Sequence, residues 1–152
     1  MIRIVKDADA AQIAEIYNHY ILNTLITFEE QPATREEILA RIKSITTEYP
    51  WLVYEEDGRV VGYAYATRWK ERSAYRRTVE AAIYLDVQVT GRHVGSQLTA
   101  ALLEALRVMK IHSVLAGIAL PNAASVGLCE KFGFAKVGEL EEVGYRSING
   151  WM

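Results

Sequence analysis

Residues 91–96, Gly91-Arg92-His93-Val94-Gly95-Ser96, are the stretch with the clearest capacity for chemistry. Ahead of them Val79, Ala81, Ile83, Leu85 and Val87 alternate with Glu80, Ala82, Tyr84 and Asp86, the period of a strand. Behind them Leu98, Ala101, Leu102, Ala105 and Leu106 recur at helical spacing. A glycine loop that enters a helix directs unpaired N–H groups and the positive end of the helix at one spot. That spot suits a phosphate. The Lys-Ser/Thr ending of a nucleoside-triphosphate loop is absent, and so is the G-x-G-x-x-G spacing of a dinucleotide fingerprint. Strand-to-helix turns also carry glycines for steric reasons alone, so the loop by itself leaves both readings open.

Other reactive side chains are sparse. His19, His93 and His112 share no metal-ligand spacing, so no metal site is expected. Cys129 is the single cysteine and cannot form an internal disulfide, which fits a reducing cytoplasm. A net charge of -2 argues against a nucleic-acid surface. No apolar run approaches the roughly 20 residues that cross a bilayer, and residues 1–4 start directly as strand-like sequence with no signal-peptide pattern. With 152 residues, 51% of them hydrophobic and 24% charged, the chain can build one full globular core but not two.

The elements that must position the loop follow in order. Residues 2–5 read as a strand. Asp7 is placed to cap a helix whose apolar face is Ala10, Ile13, Ala14, Ile16, Tyr17 and Tyr20. Residues 23–28 read as a loop exposing apolar groups. Thr34-Arg35-Glu36-Glu37 is a capping box, predicting a helix to about Thr47, which Pro50 ends. Residues 51–55 and 60–66 are strands joined by Glu56-Asp57-Gly58, a hairpin signal. Residues 69–77 form a polar, aromatic and basic connector. Residues 113–119 are a buried strand that a right-handed crossover would lay parallel to the strand before the loop. Asn122 caps the next helix and Gly133 ends it. Residues 137–143 read as a last strand, and residues 144–152 as turn. With no repeat and no linker, residues 1–152 are treated as one domain.

Three stretches, in the element order β-α-α-β-β-β-loop-α-β-α-β, carry a family likeness. They are Ala14-Glu15-Ile16-Tyr17-Asn18-His19-Tyr20 with Thr27-Phe28-Glu29-Glu30; Trp69-Lys70-Glu71-Arg72-Ser73-Ala74-Tyr75-Arg76 with Thr78-Val79-Glu80; and Leu120-Pro121-Asn122-Ala123-Ala124-Ser125-Val126 with Glu130-Lys131-Phe132-Gly133-Phe134. With them the chain resembles the GCN5-related N-acetyltransferase (GNAT) superfamily, in particular its phosphinothricin, methionine sulfone and methionine sulfoximine acetyltransferase branch.

The resemblance implies an α/β fold of the α+β kind: a mixed, mostly antiparallel sheet flanked by helices and splayed beside residues 113–119. It implies acetyl-CoA as donor, with the backbone of Ile83, Tyr84 and Leu85 on the pantetheine arm. Gly91, Arg92, His93, Val94, Gly95 and Ser96 would hold the pyrophosphate, and Asn122 would touch the cofactor. The acceptor is the amino group of a small amino acid or analogue, held partly by Ser73, Ala74 and Tyr75. A catalytically weak acetyl-CoA-binding relative is one alternative, and an enzyme acting on a protein N-terminus or lysine is another. Some residues depart from the family pattern. His93 replaces a loop glycine, Val87 a common proline, and Cys129 a tyrosine or histidine. A histidine at position 93 is strained if that position needs a positive φ. The chain stops at Trp151-Met152, where relatives add a strand, so the edge of residues 137–143 is expected to pair with a second copy as a homodimer.

Direct transfer from a thioester needs a held donor, a neutral amine, a donor to the developing oxyanion and a proton for the leaving thiolate. No covalent intermediate is required. Glu80 is the expected base, against the alternatives of a solvated strand carboxylate or a partner for Arg76. The Leu85 N–H is the expected oxyanion donor. Cys129 stands in the acid's place and, with an ordinary thiol pKa of about 8.5, keeps its proton at neutral pH; the alternative is a small buried hydrophobe. Arg72 and Arg76 are candidates for the acceptor's α-carboxylate, against the commoner alternative of a solvated loop. Phe28, Trp51 and Tyr75 line an acceptor pocket or belong to the core.

Overall fold

The computed structural model describes residues 1–24, 27, 29–89, 93–120, 122–141, 145–146 and 150–151. Its main sheet contains β1 (Ile2–Ile4), β2 (Trp51–Glu56), β3 (Arg59–Arg68), β4 (Thr78–Leu85) and β5 (Ser113–Leu115), side by side in that order. Strands β1 to β4 pair antiparallel, and β5 joins β4 in parallel. The mixed, mostly antiparallel sheet is therefore as the family likeness implies. The β2–β3 hairpin closes on Asp57 (φ 52°) and Gly58 (φ 77°). Two successive positive φ values match the twist of a two-residue hairpin turn, which explains the Asp-Gly pair.

Helices α1 (Ala10–Asn23) and α2 (Arg35–Thr46) cover one face of the sheet. Ile13, Ile16, Tyr17 and Ile21 of α1 pack there with Ile38 and Ile42 of α2, against Trp51, Val53 and Tyr63. The other face takes α3 (Val94–Val108), whose Leu98, Leu102 and Leu106 are at most 1% exposed. Burying each contributes about 1.5–3 kcal/mol. Alternation along β4 feeds both faces. Val79, Ala81, Ile83 and Leu85 belong to the α3 side, while Tyr84 packs with α1.

The caps hold with one change. Thr34 Oγ1 accepts the Glu37 N–H (3.1 Å) at the start of α2. Asn122 Oδ1 accepts the Ser125 N–H (3.2 Å) at the start of α4 (Ala123–Lys131). Gly133, at φ 86°, ends α4, and the Phe134 N–H donates back to the Cys129 C=O (3.0 Å). Before α1, however, a 3-10 turn over Asp7–Asp9 intervenes, and Asp9 rather than Asp7 carries the interactions. Its carboxylate accepts the Lys6 N–H (2.7 Å) and both arms of the Arg3 guanidinium (2.8 and 2.9 Å).

Two strands differ from the sequence expectation. Residues 116–119 are not strand, because β5 parts from β4 after Leu115 and leaves them without a ladder. Residues 137–141 are also irregular, with Val137 89% and Leu140 76% exposed. No described strand lies beside them to supply hydrogen bonds, so apolar content alone does not make them a strand. Residues 142–143 lie outside the described residues. The turn expected near the end contains a short pair, β6 (Tyr145–Arg146) with β7 (Gly150–Trp151).

Candidate active site

The parting of β4 and β5 creates a cleft. Their register runs Thr78–Ser113, Val79–Val114, Glu80–Leu115 and then stops, while β4 continues along β3 to Leu85. A cavity of about 250 Å³ fills the gap, bounded by Glu80 to Tyr84 on one side and Ala116 to Ala119 on the other. Thr99, Leu102 and Leu103 of α3 and Ser125, Leu128 and Cys129 of α4 complete its walls.

The backbone of β4 is polarised by parity. The Arg77 C=O accepts the His112 and Ser113 N–H groups on the β5 side, whereas the Asp86 N–H donates to the Val61 C=O on the β3 side. In an unshifted ladder, alternate residues address alternate neighbours. The odd-numbered residues Ala81, Ile83 and Leu85 therefore turn their N–H and C=O groups toward the splay. This open edge can receive the amides of an extended arm as an added strand would. Tyr84 is even-numbered. Its backbone faces β3 and its side chain lines the cleft, so of Ile83, Tyr84 and Leu85 only the first and last present amides there.

Glu80 is exposed and lines the same cavity. A Cβ added at Gly117 would lie 3.1 Å from Glu80 Oε2, so the missing side chain makes room for the carboxylate. Among the described residues Glu80 forms no ion pair, and the Arg76 guanidinium instead donates back to the Ser73 C=O (3.1 Å). Cys129 is half-buried on the opposite wall, where burial pushes its thiol pKa up. Asn122, already a helix cap, reaches the cavity edge.

The loop beyond β4 is placed in part. Gly91 and Arg92 lie outside the described residues. His93 sits at φ 63°, ψ 9°, the left-handed region, directly before α3. The strain foreseen for a histidine there is thus present. Val94 is buried core. Gly95 has a packing reason of its own, because an added Cβ would stand 3.3 Å from Leu85 Cδ1 and 3.4 Å from Leu128 Cδ2. Ser96 Oγ accepts from Lys131 Nζ (2.9 Å), tying the first turn of α3 to the end of α4.

The acceptor residues are less gathered. Arg72, Ser73, Ala74, Tyr75 and Arg76 lie on an exposed turn that leads into β4 a few residues before Glu80, and none reaches the cavity wall. Tyr75 meets Trp69 edge-on at 5.2 Å. Phe28 lies outside the described residues. Trp51 is core, 3% exposed and stacked on Tyr65 at 4.3 Å. Its indole N–H has no hydrogen-bond partner among the described residues.

Sequence reasoning missed Tyr65, Gly117 and Tyr20. Tyr65 pairs across the ladder with Ala82, next to Glu80 on the same face, and burial raises its phenol pKa. Its place in an alternating strand was a signal, but not which strand it would face. Among the described residues no group of three His, Cys, Asp or Glu side chains gathers at metal-binding range. No helix of the described residues is long and apolar enough to cross a membrane.

Comparison with known proteins agrees with this architecture. The family model for the acetyltransferase (GNAT) domain matches residues 2–150. A phosphinothricin N-acetyltransferase of Streptomyces viridochromogenes is 39% identical over 150 residues, 99% of this chain and 81% of that protein. An L-methionine sulfoximine/L-methionine sulfone acetyltransferase of Salmonella typhimurium is 34% identical over 95% of this chain and 85% of its own length. The crystal structure of a GNAT superfamily phosphinothricin acetyltransferase from Sinorhizobium meliloti, in complex with acetyl-CoA, superposes with a TM-score of 0.94. It shares 32% identity and covers 99% of this chain and 83% of that one.

Proposed function

The chain belongs to the GNAT acetyltransferase family, and from that premise we propose that it moves the acetyl group of acetyl-CoA to the amino group of a small amino acid or analogue, of the phosphinothricin, methionine sulfone or methionine sulfoximine type. The observation that carries this reading is the splay between β4 and β5, with Glu80, Ala81 and Ile83 on its β4 wall and the open amide edge continuing to Leu85 at the end of the strand.

Acetyl-CoA fits this cleft by its chemistry. Ile83 and Leu85 offer backbone donors and acceptors to an arm rich in amides. The first turn of α3, Val94 to Ser96, offers its N–H groups and helix dipole to phosphates. When bound, acetyl-CoA supplies an acyl group already activated as a thioester. The remaining tasks fall to this chain. Glu80 accepts the proton of the acceptor's ammonium, directly or through a water, and holds it on the carboxylate. The Leu85 N–H points into the splay and is held there by the strand, so it can stabilise developing negative charge without reorganising. The Cys129 thiol, its pKa raised by burial, holds its proton on Sγ at neutral pH and can deliver it to a departing thiolate. Ser73, Ala74 and Tyr75, with Arg72 and Arg76, lie on the turn that leads into β4 a few residues before Glu80 and are proposed to meet the acceptor's carboxylate.

We take residues 1–152 as one catalytic domain, acting in the cytoplasm as a homodimer. The exposed Val137 and Leu140 supply apolar surface for self-association, in place of a paired strand edge. Sedimentation at tens of micromolar tests the dimer.

The activity is tested by thiol release from acetyl-CoA over a panel of amino acids, phosphinothricin and the sulfone and sulfoximine of methionine. Turnover confined to small amino-acid-like amines is expected. Binding of acetyl-CoA without turnover on any of them would contradict the assignment.

A further inference from the structure

Tyr20 reaches the cofactor edge of β4 from the opposite side of the molecule's core. It lies in the last turns of α1, and its hydroxyl donates to the Leu85 C=O at 2.5 Å. By parity this is a splay-facing carbonyl, so the phenol caps the open edge where β4 ends. The same peptide unit is held from behind, where the Asp86 N–H donates to the Val61 C=O of β3 at 2.9 Å. Asp86 itself is fixed, accepting from Arg59 (3.0 Å) and from the Gln88 N–H (2.9 Å). The Leu85 side chain is wedged between Gly62 and Gly95, each of which lacks the Cβ that would crowd it. Leu85 is thus the joint between the strand and the first turn of α3, and Tyr20 is its only side-chain hydrogen-bond partner among the described residues.

We propose that Tyr20 is a positioning residue for acetyl-CoA, fixing the Leu85 peptide so that the last open backbone groups of β4 meet the pantetheine arm in one orientation. A carbonyl oxygen carries two lone pairs, so the phenol leaves one acceptor site free for the arm. Without the hydroxyl only the Asp86–Val61 bond holds this peptide, and the Leu85 carbonyl and the adjoining amides lose part of their preset direction. Ring packing of Tyr20 against Tyr84, at 5.5 Å, survives in phenylalanine. The inference rests on the cofactor lying along β4, as proposed above.

The test compares Tyr20→Phe with Tyr17→Phe. Tyr17 belongs to the same ring cluster, and its hydroxyl bonds Thr27 Oγ1 (2.9 Å), away from the open edge. Calorimetry is run with acetyl-CoA, S-acetylpantetheine and adenosine 3′,5′-bisphosphate. Tyr20→Phe is expected to weaken acetyl-CoA and S-acetylpantetheine by about three- to tenfold, the scale of one hydrogen bond. The nucleotide fragment should bind unchanged, and the acceptor KM at saturating acetyl-CoA should hold. Tyr17→Phe should leave all three ligands at wild-type affinity. Equal acetyl-CoA binding by Tyr20→Phe and wild type overturns the proposal. So does tighter binding by Tyr20→Phe, which would mean that the phenol competes with the arm. A parallel loss in Tyr17→Phe, or for the nucleotide fragment, reduces Tyr20 to general packing and overturns it too. A wild-type protein that binds no acetyl-CoA removes the proposed function and this inference together, whereas wild-type binding with an indifferent Tyr20→Phe removes this inference alone.

Discussion

Glu80 and Gly117 face one another where β4 and β5 part, with Glu80 Oε2 3.1 Å from where a Gly117 Cβ would stand. The carboxylate occupies space that only glycine leaves. Gly117→Ala should therefore displace the carboxylate by a few tenths of an ångström while leaving the exposed backbone fold intact. A fall in kcat of about tenfold or more is expected, since small misplacements of reacting groups are costly. Thermal unfolding should shift little. Wild-type kcat in Gly117→Ala would show that Glu80 needs no such room.

Glu80→Gln keeps the shape of the side chain and removes its basicity. If Glu80 takes the ammonium proton, turnover should fall by about 10²–10⁴ at pH 7. The deficit should narrow as pH rises, because free amine then forms without assistance. A pH profile of kcat/KM for both proteins checks this, and parallel profiles would place the base elsewhere.

His93 holds φ 63° at the entry to α3, a conformation that costs a side-chain-bearing residue of order 1 kcal/mol. His93→Gly should recover part of that and raise Tm by about 2–4 °C for each kcal/mol in a chain of this size. Acetyl-CoA should bind at least as tightly. A lower Tm would show that the histidine contributes more through contacts than it costs in backbone strain.

Burial raises the Cys129 thiol above its ordinary value, so little thiolate is present at pH 7. Alkylation by iodoacetamide should be slow there, speed up as pH climbs through the thiol range, and slow again when acetyl-CoA fills the cleft. Cys129→Ala should lose far less activity than Glu80→Gln if the thiol mainly packs. Rapid alkylation that ignores acetyl-CoA would put Cys129 off the cofactor path.

Asp9 links folding to pH. Desolvation alone would raise its pKa, but the Arg3 guanidinium and the Lys6 N–H together hold it below its ordinary 3.8. A carboxylate with a lowered folded pKa adds stability that is complete above the unfolded value and disappears as pH falls through the folded one. Asp9→Asn should cost roughly 1.5–3 kcal/mol at pH 7, the scale of hydrogen bonds to a charged group, with Arg3 keeping Glu55 (3.2 Å) as its acidic partner. Urea unfolding at pH 7 and below pH 3 should show the gap to wild type closing in acid. A gap that stays constant with pH would assign the loss to packing.

Much of this molecule was legible in one dimension. Alternation along residues 78–85 named a strand and its two faces. The 3.6-residue recurrence of Leu98, Leu102 and Leu106 named the helix behind it. Thr34, Asn122 and Gly133 marked helix ends because their side chains, or the lack of one, satisfy backbone groups a few residues away. The Asp57-Gly58 turn was legible for the same local reason. Asp7 and Asp9 could not be ranked, because the preference for Asp9 comes from Arg3, which reaches it from β1.

Sequence alone thus determined most of the strands and helices up to α4, which of their faces are apolar, and which family they resemble, since periodicity and capping are properties of neighbours along the chain. Tertiary structure decided where β5 leaves β4, and hence that residues 116–119 line a cleft instead of extending the sheet. It decided that Gly117 makes room for Glu80, that Tyr65 stands beside that carboxylate, and that Tyr20 closes on the Leu85 carbonyl. It also withheld a strand from residues 137–141, whose apolar side chains have no described neighbour strand to bond. These outcomes depend on hydrogen-bond partners and packing surfaces from distant parts of the chain. A strand-like run of residues carries no record of whether a partner will be beside it.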